Sequence, residues 1–592
     1  MPLTDEQKAV VYADQGMFVV LAGPGSGKTR TIIEKITHLF NDKVIPEPFG
    51  LLAITFTNAA ANEMRSRLRT SGFRQWDQVF IGTFHSFCHY LLSCYGSDVG
   101  VREDFDVVDS QTQDNIINEI LRDYPHLSLS NIKNTIEGLK RQGIYPGIKD
   151  ERIAPELRAI YSAYQTSLME DNLVDFGDLI FFAIRLLEES VLTKRIFTSH
   201  FHHILVDEFQ DTDHQQLELI KILAERATSV SIVADDDQSI FGWRGADRRN
   251  VEAIAKHLGA KRLQLGINFR SDQVIVEAAE YVIQQDADRT TKSITASSKD
   301  RGHLYYGLFA DPSEEANNVG SQIVEIRDQG TVDDLGQIAI IARARRRVEP
   351  VIEYLDSMSI NWFDRSRLNF IDAWDALLAI ATLNLAIAPE STDGLFNVMS
   401  TIEDAGLAYQ LSVQDALDVA LDLKSNIVEN IVEQPSLTNI DEILEISGFW
   451  RLLEQVSWSS TEQKNRKENV TMMVEDLIRI AEQSNFSLIK SLDHLAGLGA
   501  IQIMTGQGAK GREFDHVFFI GLEEGVIPDY RAENEDEIAE ERRIFYVGLT
   551  RARRAVYLSS VLERIMPWGE MRTQQQSRFI FQIPDEFIEV FP

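Results

Sequence analysis

The apolar run Met17-Phe18-Val19-Val20-Leu21 leads directly into Ala22-Gly23-Pro24-Gly25-Ser26-Gly27-Lys28-Thr29-Arg30-Thr31. A buried strand, a glycine-rich loop and the start of a helix in that order belong to a parallel α/β core, and no other feature of the chain limits its fold as tightly. Across Gly23, Gly25, Ser26 and Gly27 the backbone N–H groups can turn toward a β-phosphate. Lys28 supplies positive charge to the β- and γ-phosphates, and the Thr29 hydroxyl can hold Mg²⁺. A nucleoside triphosphate is the first ligand these residues imply. The plainer alternative is a glycine turn with a surface lysine.

A second strand ends in acids at Ile204-Leu205-Val206-Asp207-Glu208-Phe209-Gln210-Asp211. Asp207 is placed to bind Mg²⁺ through its hydration shell, and Glu208 to orient and deprotonate an attacking water. Hydrolysis of nucleotide follows from the pair. Two acids at a strand end are otherwise an ordinary solvated turn.

Composition narrows the setting. At 592 residues the chain exceeds one hydrophobic core and implies three or four packing units. Hydrophobic content of 44% and charged content of 25% are those of a soluble globular protein. The longest apolar run, Leu377 to Ala388, is too short for a bilayer and contains Thr382 and Asn384, so no membrane partner is expected. The opening Met1-Pro2-Leu3-Thr4-Asp5-Glu6 has no basic region followed by an apolar stretch, and a cytoplasmic location is expected. Cys88 and Cys94 share one helical stretch and read as core packing, too few for a metal cluster. The net charge of −33 excludes coating of nucleic acid by bulk electrostatics, but not a narrow track. Basic residues concentrate at Arg343, Arg345, Arg346 and Arg347, at Arg542 and Arg543, and at Arg551, Arg553 and Arg554, where solvated faces are the alternative.

Short apolar segments alternate with helical patterns over 17–86, 203–270, 337–343 and 501–522, the signature of parallel sheets. Residues 87–200 and 371–499 read as almost entirely helical. The expected fold is α/β, with two parallel-sheet cores each carrying a mainly helical insertion. The first core takes 1–86 and 201–275 with its insertion at 87–200; the second takes 276–370 and 500–592 with its insertion at 371–499. The acidic stretch Glu533 to Glu541 reads as an exposed loop entering a helix.

Further strings complete a set: Thr55-Phe56-Thr57-Asn58, Gly82-Thr83-Phe84-His85-Ser86, Asp175-Phe176-Gly177-Asp178-Leu179, Val233 to Ala246 with Asp235-Asp236-Asp237-Gln238-Ser239 and Phe241-Gly242-Trp243-Arg244-Gly245, Asn268-Phe269-Arg270-Ser271, Ala509-Lys510-Gly511-Arg512-Glu513-Phe514, and Tyr546-Val547-Gly548-Leu549-Thr550-Arg551-Ala552-Arg553. In content and order the chain resembles the superfamily 1A DNA helicases of the UvrD, Rep and PcrA type. The resemblance implies two RecA-like cores and dependence on ATP and Mg²⁺. It also implies that Gln238 senses the γ-phosphate, Gln7 reads the adenine edge, Arg30 and Phe269 sandwich the base, and Glu513 contacts the ribose. Arg270 and Arg551 are the candidates for a cation that a second lobe would bring to the γ-phosphoryl group, which would tie lobe closure to nucleotide state.

A motor gripping a single strand needs aromatic platforms more than base-edge readers, because unpaired bases offer two π-faces. Phe56, Phe241 and Trp243 fit that need, although any one aromatic is ordinarily a core residue. Arg244 can pair with acids or stack, and Thr83, His85 and Thr505 can contact the strand backbone. The resemblance further implies 3′-to-5′ movement on single-stranded DNA and action at junctions with duplex, in repair, replication restart or recombination. An alternative is a DNA-sensing ATPase subunit beside a separate OLD-type nuclease in phage defence; a separate nuclease or a loading protein is the partner expected.

The chain also departs from the family. Ala59-Ala60-Ala61 stands where Lys followed by two alanines is usual, Gln507 stands where His is common, and Arg512 replaces Leu before Glu513. Gln507 hydrogen-bonds but carries no charge. The second insertion is shorter than the resemblance leads one to expect and shows no Gly-Ile-Gly hairpin. After Arg554 a short strand-rich segment, Ala555 to Pro592, follows, and neither a fused nuclease nor a long flexible tail is expected.

Overall fold

The computed structural model describes residues 2–42, 44–45, 50–102, 104–108, 110–146, 153–364, 374–404, 413–430, 434–455, 460–484, 487–495, 497–565 and 570–592. Contacts divide the chain into two compact units: Met1–Ala22 with Lys28–Leu265, and Gly23–Gly27 with Gly266–Pro592.

The first unit is built on six strands: β1 (Gly16–Ala22), β2 (Gly50–Thr55), β3 (Val79–Thr83), β4 (Phe201–Val206), β5 (Ser229–Ala234) and β6 (Lys261–Leu265). They lie in the order β3-β2-β4-β5-β1-β6, all parallel. The apolar runs are unbroken because both faces of the sheet are covered. Along β1 and β2, Val19, Leu21, Leu52 and Ile54 enter one core with Phe84, Phe87 and Leu91 of helix Phe84–Tyr95 and Leu179 and Leu186 of helix Phe176–Glu189. Their neighbours Val20, Ala22, Leu51 and Ala53 enter the other, with Ile32, Ile36 and Leu39 of helix Lys28–Asn41 and Met64 and Leu68 of helix Asn58–Thr70. Fully burying one such large side chain contributes about 1.5–3 kcal/mol. Helices Ser110–Leu121, Leu129–Arg141 and Pro155–Glu170 pack on a separate small core of Ile117, Ile132, Ile136, Ile160 and Leu168. Cys88 lies in the sheet's core, whereas Cys94, expected to pack with it, is exposed; neither is in a disulfide.

The second unit holds a seven-stranded parallel sheet of β7 (His303–Phe309), β8 (Ile338–Ala342), β9 (Trp362–Asp364), β10 (Ile501–Thr505), β11 (Phe514–Ile520), β12 (Ala552–Val561) and β13 (Glu589–Val590). Its order is β9-β10-β8-β11-β12-β7-β13. Between β9 and β10, the described residues are mainly helical and share a core that includes Leu378, Leu385, Val398, Ile402, Leu444 and Val470. The junction expected at 370 and 371 lies outside the described residues. Among the described residues no helix is long and apolar enough to cross a membrane.

Candidate nucleotide and nucleic-acid site

A parallel sheet sets the C-terminal ends of all its strands along one edge, where ligands of open α/β sheets bind. In the first unit that edge carries Phe56 after β2, Thr83 and His85 at and after β3, Asp207 and Glu208 after β4, and Asp235 to Gln238 after β5. Lys28 opens the helix that follows β1, so its backbone stands at a helix N-terminus, a natural anion site. Its Nζ lies 3.7 Å from Glu208 Oε1 and 3.6 Å from Asp235 Oδ2. Three residues spread over more than two hundred positions thus share one cluster.

The acids are held from behind. Glu208 adopts φ +54°, a left-handed conformation that turns the chain at the end of β4. Gln210 Nε2 donates to Glu208 Oε2 at 2.5 Å, while Gln210 Oε1 accepts from the Asp235 N–H at 2.9 Å. Gln238 Nε2 donates to Asp235 Oδ2 at 2.5 Å. One glutamine side chain therefore joins the ends of β4 and β5. Buried Asp207 donates its N–H to Ile54 O at 2.8 Å and accepts from the Glu208 N–H at 3.0 Å. The sequence flagged neither Gln210 nor Asp235 as a site residue, although both stand inside the quoted strings. Thr29 and Arg30 occupy the first turn of the helix behind Lys28. Gln7 is buried in a capping box, where its Oε1 accepts from the Thr4 N–H at 3.1 Å and its own N–H donates to Thr4 Oγ1.

The rest of the nucleotide set belongs to the second unit. Gly25 and Gly27 adopt φ +63° and +78°, and Ser26 Oγ donates to Gly23 O at 2.8 Å. The loop is pressed against Asn268-Phe269-Arg270. The Phe269 N–H donates to Gly25 O at 2.8 Å, and a Cβ on Gly25 would fall 2.6 Å from Arg270 Cβ and 2.8 Å from Asn268 Oδ1. Arg270 Nε meets Glu513 Oε2 at 2.7 Å, and its Nη1 donates to Thr550 O at 3.1 Å. Burial works to raise the Glu513 carboxyl, but hydrogen bonds from Arg553 and the Arg270 charge overcome it and hold the group at about 2. Arg551 is 1% exposed, donating to Val547 O, Arg512 O and Thr550 Oγ1 at 3.0–3.2 Å. Thr505 ends β10 and Gln507 stands in the turn after it, where Thr505 Oγ1 accepts from the Gly508 N–H at 3.2 Å.

Beside the acids, the first unit presents an aromatic ledge. Phe56 and Phe241 stack at 5.5 Å with an interplanar angle of 19°. The Arg244 guanidinium lies 4.7 Å from the Trp243 ring centroid, and Trp243 is 64% exposed, which is unusual for the most costly ring to hydrate. The Thr83 hydroxyl is committed to capping its helix, accepting from the Ser86 N–H at 3.2 Å. His85 lines a cavity of about 610 Å³ together with Phe56, Arg141, Phe176 and Arg244. Burial, and secondarily Arg141, push His85 down to about 4, so the ring is neutral at pH 7. Phe176, missed by the sequence reading as a site residue, is 59% exposed and meets His85 edge-on at 5.5 Å.

The basic clusters of the second unit are mostly not solvated faces. Arg343 makes a forked pair with Glu541 at 2.8–3.1 Å, Arg345 pairs with Asp364, Arg543 with Asp286, and Arg347 is buried. Arg553 and Arg554 both reach Asp515. Runs of arginine in the sequence are here recruited to neutralise acids from elsewhere in the chain.

A divalent cation fits the donor set of the first unit. The Thr29 hydroxyl and buried Asp207 carboxylate are hard oxygen donors of the kind Mg²⁺ prefers.

Comparison with known families matches residues 3–259 to the UvrD/REP helicase N-terminal domain and residues 263–404 and 424–563 to the UvrD-like helicase C-terminal domain. Among relatives, the ATP-dependent DNA helicase PcrA of Staphylococcus aureus (strain Mu50 / ATCC 700699) is 28% identical over 638 residues, covering 99% of this chain and 87% of the relative. The PcrA of Staphylococcus epidermidis (strain ATCC 12228 / FDA PCI 1200) is 28% identical over 645 residues with the same coverage.

Proposed function

This chain belongs to the UvrD/REP helicase family, and on that premise we propose that it is a DNA-dependent ATPase that moves 3′-to-5′ along single-stranded DNA and opens duplex at junctions. The observation carrying the reading is the shared edge of one sheet. The Lys28, Glu208 and Asp235 cluster stands at the ends of β4 and β5, and the Phe56 and Phe241 stack at the end of β2 and just beyond β5. A hydrolytic group and a base-stacking ledge on one rigid element supply the parts of a motor whose grip responds to nucleotide.

In this reading Lys28 and the adjoining helix N-terminus bind the β- and γ-phosphates. Glu208, fixed by Gln210, orients and deprotonates water for in-line attack on the γ-phosphorus. Gln238, fixed on Asp235, responds to the γ-phosphate. Arg270 and Arg551 stabilise the charge that develops there, as the family resemblance implies. Thr29 and Asp207 would hold Mg²⁺, which would supply positive charge to the phosphate oxygens. Arg30 and Phe269 enclose the adenine and Glu513 takes the ribose. Trp243, Phe241, Phe56 and the exposed Phe176 receive bases, with Thr83, His85, Arg244, Thr505 and Gln507 along the strand. The cellular setting is DNA repair, replication restart or recombination.

The test is steady-state ATP hydrolysis with and without single-stranded DNA, followed by unwinding of 3′-tailed against 5′-tailed duplexes. Stimulation by DNA with separation of the 3′-tailed substrate is the expected result. Stimulation without strand separation removes the helicase activity and leaves a DNA-sensing ATPase. Turnover indifferent to DNA removes both.

A further inference from the structure

Arg270 adjoins the glycine loop, where a Cβ on Gly25 would fall 2.6 Å from its own Cβ, and its guanidinium is not held by that loop. It is held by Glu513 on Nε and by Thr550 O on Nη1, which leaves Nη2 for a ligand. Glu513 in turn uses its second oxygen, Oε1, to accept from Arg553 Nη2 at 2.8 Å. Arg553 Nη1 meets Asp515 Oδ1 at 3.1 Å and Gln337 Oε1 at 2.8 Å. The result is a ladder of alternating charge, Asp515, Arg553, Glu513, Arg270, that runs along β11 and ends beside the phosphate loop.

Local backbone geometry makes the ladder. Glu513, just before β11, and Asp515, its second residue, are two positions apart, and both meet the Arg553 guanidinium. Opposite them the register slips: Phe514 pairs with Ala552, but His516 pairs with Ala555, so Arg553 and Arg554 together oppose Asp515. This is a β-bulge, and its effect is to re-aim side chains. In a regular strand Arg553 and Arg554 would point to opposite faces. Here Arg553 reaches both Glu513 and Asp515, and Arg554 Nε lies 3.7 Å from Asp515 Oδ2.

We infer that Arg553, backed by Asp515, is a positioning residue for ATP hydrolysis, acting through Glu513 to hold the Arg270 guanidinium. The inference rests on the reading of Arg270 as a phosphate-facing group. A free glutamate in Arg553's absence swings between rotamers, and Arg270 then spends only part of its time aimed at the loop. The fork of Arg553 bonds two carboxylates at once, which lysine does with a single ammonium and glutamine does without charge.

The experiment compares kcat and KM for ATP, at saturating single-stranded DNA, of Arg553→Gln, Arg553→Lys, Arg270→Ala and the double variant Arg270→Ala/Arg553→Gln. Arg553→Gln should lower kcat about tenfold with KM changed less than about twofold, as loss of an outer support does, and Arg553→Lys should recover part of it. In the Arg270→Ala background, Arg553→Gln should cost nothing further. A full tenfold additional loss there, an unchanged kcat in the single variant, or a loss confined to KM overturns the inference. A second readout is independent of turnover: the Arg270 Nε–H signal, assigned by its absence in Arg270→Ala, is protected from solvent exchange in the parent and loses protection in Arg553→Gln. Unchanged protection overturns the inference by itself. Absence of ATP hydrolysis in the parent protein defeats the proposed function instead, and the ladder is then decided by that signal.

Discussion

Lys140 is 1% exposed and lies between two buried carboxylates, 2.6 Å from Asp175 Oδ2 and 2.7 Å from Asp178 Oδ1. Every carboxylate oxygen in the cluster is bonded. The Tyr164 hydroxyl donates to Asp175 Oδ2 at 3.0 Å and the Tyr145 hydroxyl to Asp178 Oδ1 at 2.6 Å. The remaining oxygens accept the N–H groups of the capping box, Asp178 N to Asp175 Oδ1 and Asp175 N to Asp178 Oδ2. Lys140→Met keeps the volume and removes the cation that touches both acids. Breaking a buried pair by deleting one partner costs about 3–5 kcal/mol, because the other charge is left uncompensated. For a unit of this size about 4 kcal/mol lowers Tm by roughly 8–16 °C.

The penalty must depend on pH with a definite sign. Burial, then Asp175, raise the Asp178 carboxyl above its ordinary value, and Lys140 opposes them. A raised folded-state pKa stabilises the fold at low pH and is lost as pH rises through it. Without Lys140 the carboxyl rises further, so the variant should approach the parent as pH falls from 8 toward 5. The assay is thermal unfolding of parent and variant across that range, followed by tyrosine fluorescence. A penalty below about 1 kcal/mol, or one that grows on acidification, refutes the reasoning. Since Asp175 caps the helix that begins at Phe176, the variant should also lose part of the DNA stimulation of ATPase.

Three other outcomes are expected. Glu208→Gln should retain nucleotide binding and lose about 10²–10⁴-fold in turnover, measured by a fluorescent ATP analogue and by phosphate release. Trp243→Ala should weaken single-stranded DNA binding by about 1–3 kcal/mol, about 5- to 150-fold, in a titration at fixed salt, and should lower DNA-stimulated hydrolysis far more than the basal rate. Gly25→Ala places a Cβ within 2.6 Å of Arg270 Cβ at a φ of +63°, and should reduce kcat/KM for ATP about 100-fold by displacing the loop. A near-normal value for any of the three would remove that residue from its assigned place.

Local chemistry was legible in the sequence. The glycine loop is contiguous, its lysine is fixed at the head of a helix by chain connectivity, and the doubly buried strands announce themselves as unbroken apolar runs. The Asp207 and Glu208 pair needed only a strand and its end. Pairing across the fold was not legible. Gln210 reads as one more polar residue until β4 and β5 lie side by side and its amide joins Glu208 to the backbone of Asp235. Phe176 carries no role of its own in the sequence, yet in the fold it stands exposed against His85. The arginine clusters read as basic surface, yet Glu541, Asp364 and Asp286 come from elsewhere in the chain to neutralise them.

The sequence by itself determined which residue types stand together: a glycine loop ending in a lysine, an acid pair at a strand end, aromatic rings set among glycines, and the class of sheet that carries them. These depend on residue type and on neighbours within a few positions. The tertiary structure alone decided which groups meet and in what state. Strand order brings Lys28 to Glu208 and Asp235, burial makes His85 neutral, and one extra residue in β12 turns Arg553 toward Glu513. Charge state and pairing are set by distance and dielectric, and neither is a property of sequence separation.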